Sequence, residues 1–145
     1  LGSVELNLYP YSLLNNEYTF TTDTGTVFKV AFSKVDYDDL PIFIPTLIRE
    51  QCAIKPNDDR VRNTIVAIMR EFVESRDCAL FFVCDTSDGR QQNRFRLFSR
   101  WFKELGLGFS KTDFCIEDLY SAVMYKDGFS QRVLVENLIR AYLGL

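Results

Sequence analysis

A single α/β or α+β domain, with an N-terminal β-hairpin and a central mixed sheet packed by about three helices, is what three patterns in this sequence predict. Residues 18–35 alternate apolar and polar around a glycine turn, residues 79–84 carry an almost unbroken apolar run, and three other stretches repeat apolar residues at helical spacing. Alternation marks strands with one wet face, a continuous run marks a strand covered on both faces, and one-faced helices need a sheet to cover. A chain of 145 residues suits one domain able to bury roughly two thirds of its unfolded surface.

The elements follow in chain order. Leu1, Gly2 and Ser3 resemble what protease cleavage of an expression tag leaves behind, so the globular domain is expected to span 4–145. Residues 4–16 alternate weakly and contain Pro10, which suits an arm or an edge strand. In 18–35, Tyr18, Phe20, Phe28, Val30 and Phe32 alternate with Thr and Lys. Asp23-Thr24-Gly25 between them supplies the positive φ and the side-chain acceptor of a short hairpin loop. Pro41 and Pro45 then bracket Ile42-Phe43-Ile44. Proline cannot donate to a ladder, so this piece is expected at an edge or in a loop rather than in a central strand.

Pro56-Asn57-Asp58-Asp59 offers capping side chains and negative charge at a helix start. Val61, Ile65, Ile68, Met69, Phe72 and Val73 give the helix, from 58 or 59 to 75, a core face. After the strand at 79–84, Ser87 or Asp88 is expected to cap a second helix. Its Phe95, Phe98, Trp101, Phe102 and Leu105 form an aromatic stripe ending at Gly106. Residues 113–116 and 120–126 read as two strands, the second closed by Asp127-Gly128. Ser130 opens a last helix to about Tyr142, with Val133, Leu134, Leu138 and Ile139 inward.

Composition excludes several chemistries. The chain has no histidine, which removes the usual general base, the Ser-His and Cys-His pairs and imidazole metal ligands. Cysteines at 52, 78, 84 and 115 match no zinc or Cys-x-x-Cys spacing, so they are expected as reduced core thiols in a cytoplasmic protein. No apolar run is long enough to cross a bilayer and no charged-then-apolar signal segment opens the chain, so no membrane partner is expected.

Net charge is -3 but unevenly spread. Residues 1–59 hold nine acids and four bases, 60–106 six acids and nine bases, and 107–145 five acids and four bases. An acidic first part argues against general DNA coating, which needs a concentrated positive surface. The positive charge gathers on the second long helix as Arg90, Arg94, Arg96, Arg100 and Lys103. These residues are the expected binding site. Arg90 and Arg94 lie one turn apart, as do Arg96 and Arg100, a spacing that suits a carboxylate-rich protein partner or, in a further reading, RNA phosphates. Arg90 or Arg94 paired with Asp85 or Asp88 is the competing use of the same charges.

An enzymatic alternative rests on acids. Asp85 and Asp88 follow the buried strand, and with Asp23 and Glu71 or Glu74 their order is similar to that of ribonuclease H-like nucleases. Such carboxylates would hold magnesium, with Asp85, Asp88 and Glu71 as the catalytic set for nuclease or phosphotransfer chemistry. Turn formation by Asp23 and capping by Asp88 account for the same residues without a metal, and that is the favoured expectation. Asp23-Thr24-Gly25-Thr26 also resembles the phosphate-binding turn of actin-like and sugar-kinase folds, but those close two domains around a nucleotide and this chain is too short for both. The strand-turn-helix at Gly89-Arg90-Gln91-Gln92-Asn93-Arg94 has a single glycine, unlike the acetyl-coenzyme A site of acetyltransferases, so no cofactor is expected there.

Taken together, Tyr18-x-Phe20-x-Thr22-Asp23-x-Gly25, Asp59-Arg60-Val61 with Thr64-Ile65, Cys84-Asp85-x-x-Asp88, Arg94-x-x-Leu97-Phe98 and Trp101-Phe102 resemble a small family of uncharacterised short bacterial proteins. The likeness runs from Tyr18 onward. It implies a stand-alone bacterial domain and brings no activity with it. The expectation is a non-enzymatic interaction module, of antitoxin, immunity or defence-accessory type, that binds a protein through the acidic turn and basic helix.

Overall fold

Alternation and turn chemistry place the first strands. In the computed structural model, which describes residues 7–36, 39–50, 59–84, 86–103 and 108–145, β2 (Glu17–Thr21) and β3 (Val27–Lys34) form the hairpin, with Thr21 opposite Val27. Gly25 has φ 86° in its turn. The weakly alternating arm becomes an edge strand, β1 (Tyr11–Leu14), antiparallel to β2. Asn15 and Asn16 join the two at φ 51° and 62°, the paired positive values of a two-residue hairpin loop.

The described elements continue as β4 (Ile42–Glu50), α1 (Asp59–Glu74), β5 (Ala79–Val83), α2 (Gln91–Lys103), β6 (Phe109–Ile116), β7 (Leu119–Lys126) and α3 (Arg132–Leu143). Seven strands make one mixed sheet in the order β1-β2-β3-β4-β5-β7-β6, and only β4 and β5 pair in parallel. With three helices on it, the fold is α+β. The expectations for Leu1, Gly2, Ser3, Cys52, Pro56, Asn57, Asp58, Asp85, Leu105 and Gly106 lie outside the described residues.

Two apolar layers hold the sheet. On one face, Tyr18, Phe20, Val30, Phe32 and Leu80 pack with Ile65, Ile68, Phe72 and Val73 of α1. Trp101 and Phe102 of α2 close that layer from the side. On the other face, Ile42, Ala79, Phe81 and Val123 pack with Val135 and Ile139 of α3. Successive β5 residues thus serve opposite layers, which is why the sequence there is continuously apolar. The buried Thr64 ties the N-terminal arm to α1, because its Oγ1 accepts the Tyr9 N–H at 2.9 Å and donates to the Arg60 carbonyl at 2.6 Å.

Three expectations are corrected. Ile42-Phe43-Ile44 is not an edge piece: β4 is nine residues long and stands fourth in the sheet, with Pro45 opposite Phe32. The second helix begins at Gln91, not Ser87 or Asp88. The Arg90 carbonyl accepts its first helical bond, from Arg94 N–H at 3.0 Å, after Gly89 has turned the chain at φ 72°. In α3 the inward residues are Val135 and Ile139, flanked by Leu138, while Val133 and Leu134 are 69% and 61% exposed. At 100° per residue a Val-Leu-Val run cannot all face inward. Glu136 settles the rotation. Its Oε2 accepts from the Tyr125 hydroxyl at 2.7 Å, Thr112 Oγ1 at 3.3 Å and Arg132 Nε at 3.1 Å, which turns that side of the helix to the sheet.

Candidate functional site

The sheet splits at its one parallel pair. β4 and β5 are in register only at Ile42 with Ala79 and Phe43 with Leu80. Beyond that, β4 runs on to Glu50, whereas β5 stays with β7 through Val83. Both strands point their carboxyl ends into the opening, the end at which open parallel sheets place ligands.

Backbone alternation decides what faces the split. Val35 N–H donates to the Ile42 carbonyl at 2.8 Å, while the Pro41 carbonyl accepts Ala79 N–H at 2.9 Å. Even-numbered residues of β4 therefore turn their backbone groups to β3, and odd-numbered ones turn theirs the other way. Pro45, Leu47 and Arg49 face the split, where among the described residues no strand pairs with them. Pro45 is tolerated in this long strand because the donor it lacks falls on that open side.

Each face of the split carries a groove. On the α1/α2 face, a groove of about 590 Å³ lies between the hairpin end, β4, the first turns of α1 and the second half of α2. Thr22, Thr24 and Thr26 form its polar wall: Thr22 Oγ1 accepts the Thr26 N–H at 3.1 Å and lies 3.0 Å from Thr24 Oγ1. Phe28, Ile65, Leu97 and Trp101 are its apolar parts. Arg49, Arg62 and Arg100 supply positive charge from a strand and two helices, against the single acid Asp59, which stands 3.7 Å from Arg62. On the α3 face, a groove of about 380 Å³ is lined by Ile42, Ile44, Phe81, Val83, Leu138 and Tyr142, with Asp36 as its acid.

The sequence-derived candidates separate. Asp88 is held internally, since both its oxygens accept from Arg94, at 2.7 and 2.5 Å, and Oδ1 also accepts Arg90 N–H at 3.0 Å. The acidic turn is thus partly neutralised by the helix it precedes. Arg90 is exposed just before α2, Arg96 and Lys103 are exposed on it, and Arg100 alone of the five reaches the groove. Glu71 accepts the Tyr11 hydroxyl at 3.2 Å. Burial, followed by the Glu71 hydrogen bond and charge, pushes the Tyr18 phenol up to about 12. Glu74 is bound by Arg70 Nε at 2.9 Å, and Asp23 by Arg60 Nη1 at 2.9 Å. Among the described residues no three Asp, Glu or Cys side chains gather as a metal-holding group, and Asp85 lies outside them. Leu47, Arg49 and Arg62 are groove residues that the sequence reading passed over, and Thr22, Thr24 and Thr26 were read only as parts of a turn. Arg49 could have been found as the charged residue that alternation places on the same face as Phe43 and Leu47.

By sequence the chain belongs to DUF6169, a family of unknown function, whose model matches residues 57–140. That match covers α1 through most of α3, including both helices that wall the cationic groove. No curated protein matches the chain. Among the described residues no helix is long and apolar enough to cross a membrane.

Proposed function

We propose that this domain is a non-enzymatic interaction module that engages an acidic protein partner along α2 and the cationic groove beside it. One observation carries the reading: Arg49, Arg62 and Arg100 converge from three elements on a groove that also offers Leu97 and Trp101. Arg and aromatic side chains are the groups that dominate protein interfaces, and three cations against one acid select a negatively charged partner. α2 suits the role because none of its residues is buried, leaving Arg96, Leu97, Arg100 and Lys103 exposed on one helix, with Arg90 exposed just before it. In a bacterial cytoplasm such a module serves as an antitoxin, immunity or defence-accessory protein. A partner recovered from the native host by the wild-type domain is expected to be lost with Arg96→Glu/Arg100→Glu. Equal recovery by the double variant defeats the proposal.

The split favours a second reading, a phosphate-bearing ligand of the coenzyme A type. Here Arg49 of β4 lines one groove with Arg62 from the first turn of α1, and the free edge of β4 matches an amide-bearing arm. Residues 59–64 contain no glycine, so Arg49, Arg62 and Arg100 rather than close backbone amides would meet the phosphates. Calorimetric titration with coenzyme A decides it: saturable binding abolished by Arg62→Ala/Arg100→Ala supports this reading, and absence of heat removes it.

A further inference from the structure

We infer that the split between β4 and β5 takes up an extended segment of the partner as an added β-strand, acidic at one set of alternate positions and apolar at the other. The inference rests on the protein-partner reading above and specifies how that partner is read. Three features coincide at β4. Leu47 and Arg49 each direct an N–H and a C=O into the split, and Pro45 directs a C=O, so a row of main-chain groups stands ready for a ladder. β5 offers a second lip, because Ala79 bonds toward β4 and alternation turns Val83 the same way, beyond the last paired residue. The two grooves lie on opposite faces of this one opening, and β4 itself contributes Leu47 and Arg49 to one and Ile42 and Ile44 to the other.

A strand laid against β4 must send alternate side chains to opposite faces. Those on the α1/α2 face meet Arg49, Arg62 and Arg100, and those on the α3 face meet Ile44, Val83, Leu138 and Tyr142. Charge complementarity therefore fixes acids on the first face and apolar residues on the second. Main-chain bonds give affinity and the two grooves give sequence choice, the usual division of labour in strand addition. Pro45 limits the register, since the ladder can take paired donors and acceptors only from Leu47 onward.

The test uses a short fluorescein-labelled peptide of alternating Glu and Val, read by anisotropy on the whole domain. Saturable binding is expected, with slowed amide exchange at Leu47 and Arg49. Two N-methylated twins, one methylated at every Glu and the other at every Val, cover the antiparallel and parallel directions. At least one is expected to bind about tenfold more weakly, the scale of one or two lost hydrogen bonds. A peptide of the same composition with Glu and Val in separate blocks, or with Lys for Glu, is expected to bind more weakly as well. Absence of binding by the parent, binding by both methylated twins as tight as the parent's, or binding by the block peptide as tight as the parent's overturns the inference. The interaction-module reading fails separately, only if Arg96→Glu/Arg100→Glu leaves capture of the native partner intact.

Discussion

Arg94 holds Asp88 through both carboxylate oxygens, Nη1 to Oδ1 at 2.7 Å and Nη2 to Oδ2 at 2.5 Å, while Oδ1 also takes the Arg90 N–H. The Arg94 hydrogen bonds, and after them the Arg90 backbone bond, hold the Asp88 carboxyl well below the usual carboxylate range. Because the folded value is depressed, the associated stability is present above the ordinary Asp pKa of about 3.9 and is lost as pH falls through the folded value. Carbon-13 titration of the Asp88 carboxylate is expected to show it still ionised below the ordinary Asp pKa of about 3.9. Arg94→Ala should return it toward the ordinary range. Both partners are exposed, so salt should shrink the effect.

Phe72 is the centre of the α1 layer. Its ring stacks on Phe32 at 3.9 Å and 7°, takes Phe43 edge-on at 5.0 Å, and is covered by the Arg76 guanidinium at 4.1 Å. Fully buried, it leaves a cavity that its aromatic neighbours cannot fill, so Phe72→Ala is expected to cost about 3–5 kcal/mol. Urea unfolding monitored by circular dichroism checks this. A midpoint within error of wild type would contradict the packing described.

Much of this core was legible in the sequence, because the hairpin and α1 each carry one unambiguous period and β5 an unbroken apolar run. α3 was not. Val133, Leu134 and Val135 are equally apolar, and the bond of Glu136 to Tyr125 on the preceding strand β7 marks which of them turns inward. Val135→Ala should therefore destabilise the domain by about 1–2 kcal/mol, whereas Val133→Ala should stay within about 0.5 kcal/mol. Paired thermal melts of the two variants distinguish them. Equal losses would mean that the helix sits in another rotation.

The candidate groove was legible only in part, for a related reason. A run of basic residues on one helix is visible in the sequence, and Arg100 does reach the groove. Arg49, Arg62 and Thr22 come from separate elements and acquire a shared role only when β4 and β5 part. Local spacing carries no trace of that meeting.

The thiols are expected to react in an order set by burial. Burial pushes the Cys78 thiol up to about 11 and raises that of Cys84, while Cys115 is exposed. At pH 8 Cys78 is roughly one thousandth thiolate, and the thiolate is the reactive species. Among these three described thiols, alkylation of the native domain followed by peptide mass mapping should label Cys115 first, Cys84 more slowly and Cys78 only on unfolding. The raised folded value means that Cys78 stabilises the fold below the ordinary thiol pKa, and that this contribution is lost as pH rises from there through about 11.

Pro45 carries a last consequence, because an open strand within a sheet is a hazard for self-association. Exposed edges pair with other chains unless a proline, a charge or a bulge interrupts them. In β4 the proline stands opposite Phe32 and turns toward the split, just past the last residues that pair with β5. Pro45→Val would add one outward N–H and extend the row begun by Leu47 and Arg49. The β3 ladder does not use that position, so the stability change should stay within about 1 kcal/mol, part of it from the freer unfolded chain. Sedimentation velocity at matched concentrations is expected to show the variant associating more than the wild type. Adding the alternating Glu-Val peptide should reverse the extra association, since both would compete for one edge. A variant that sediments like the wild type, with or without peptide, would show that the proline does not guard that edge.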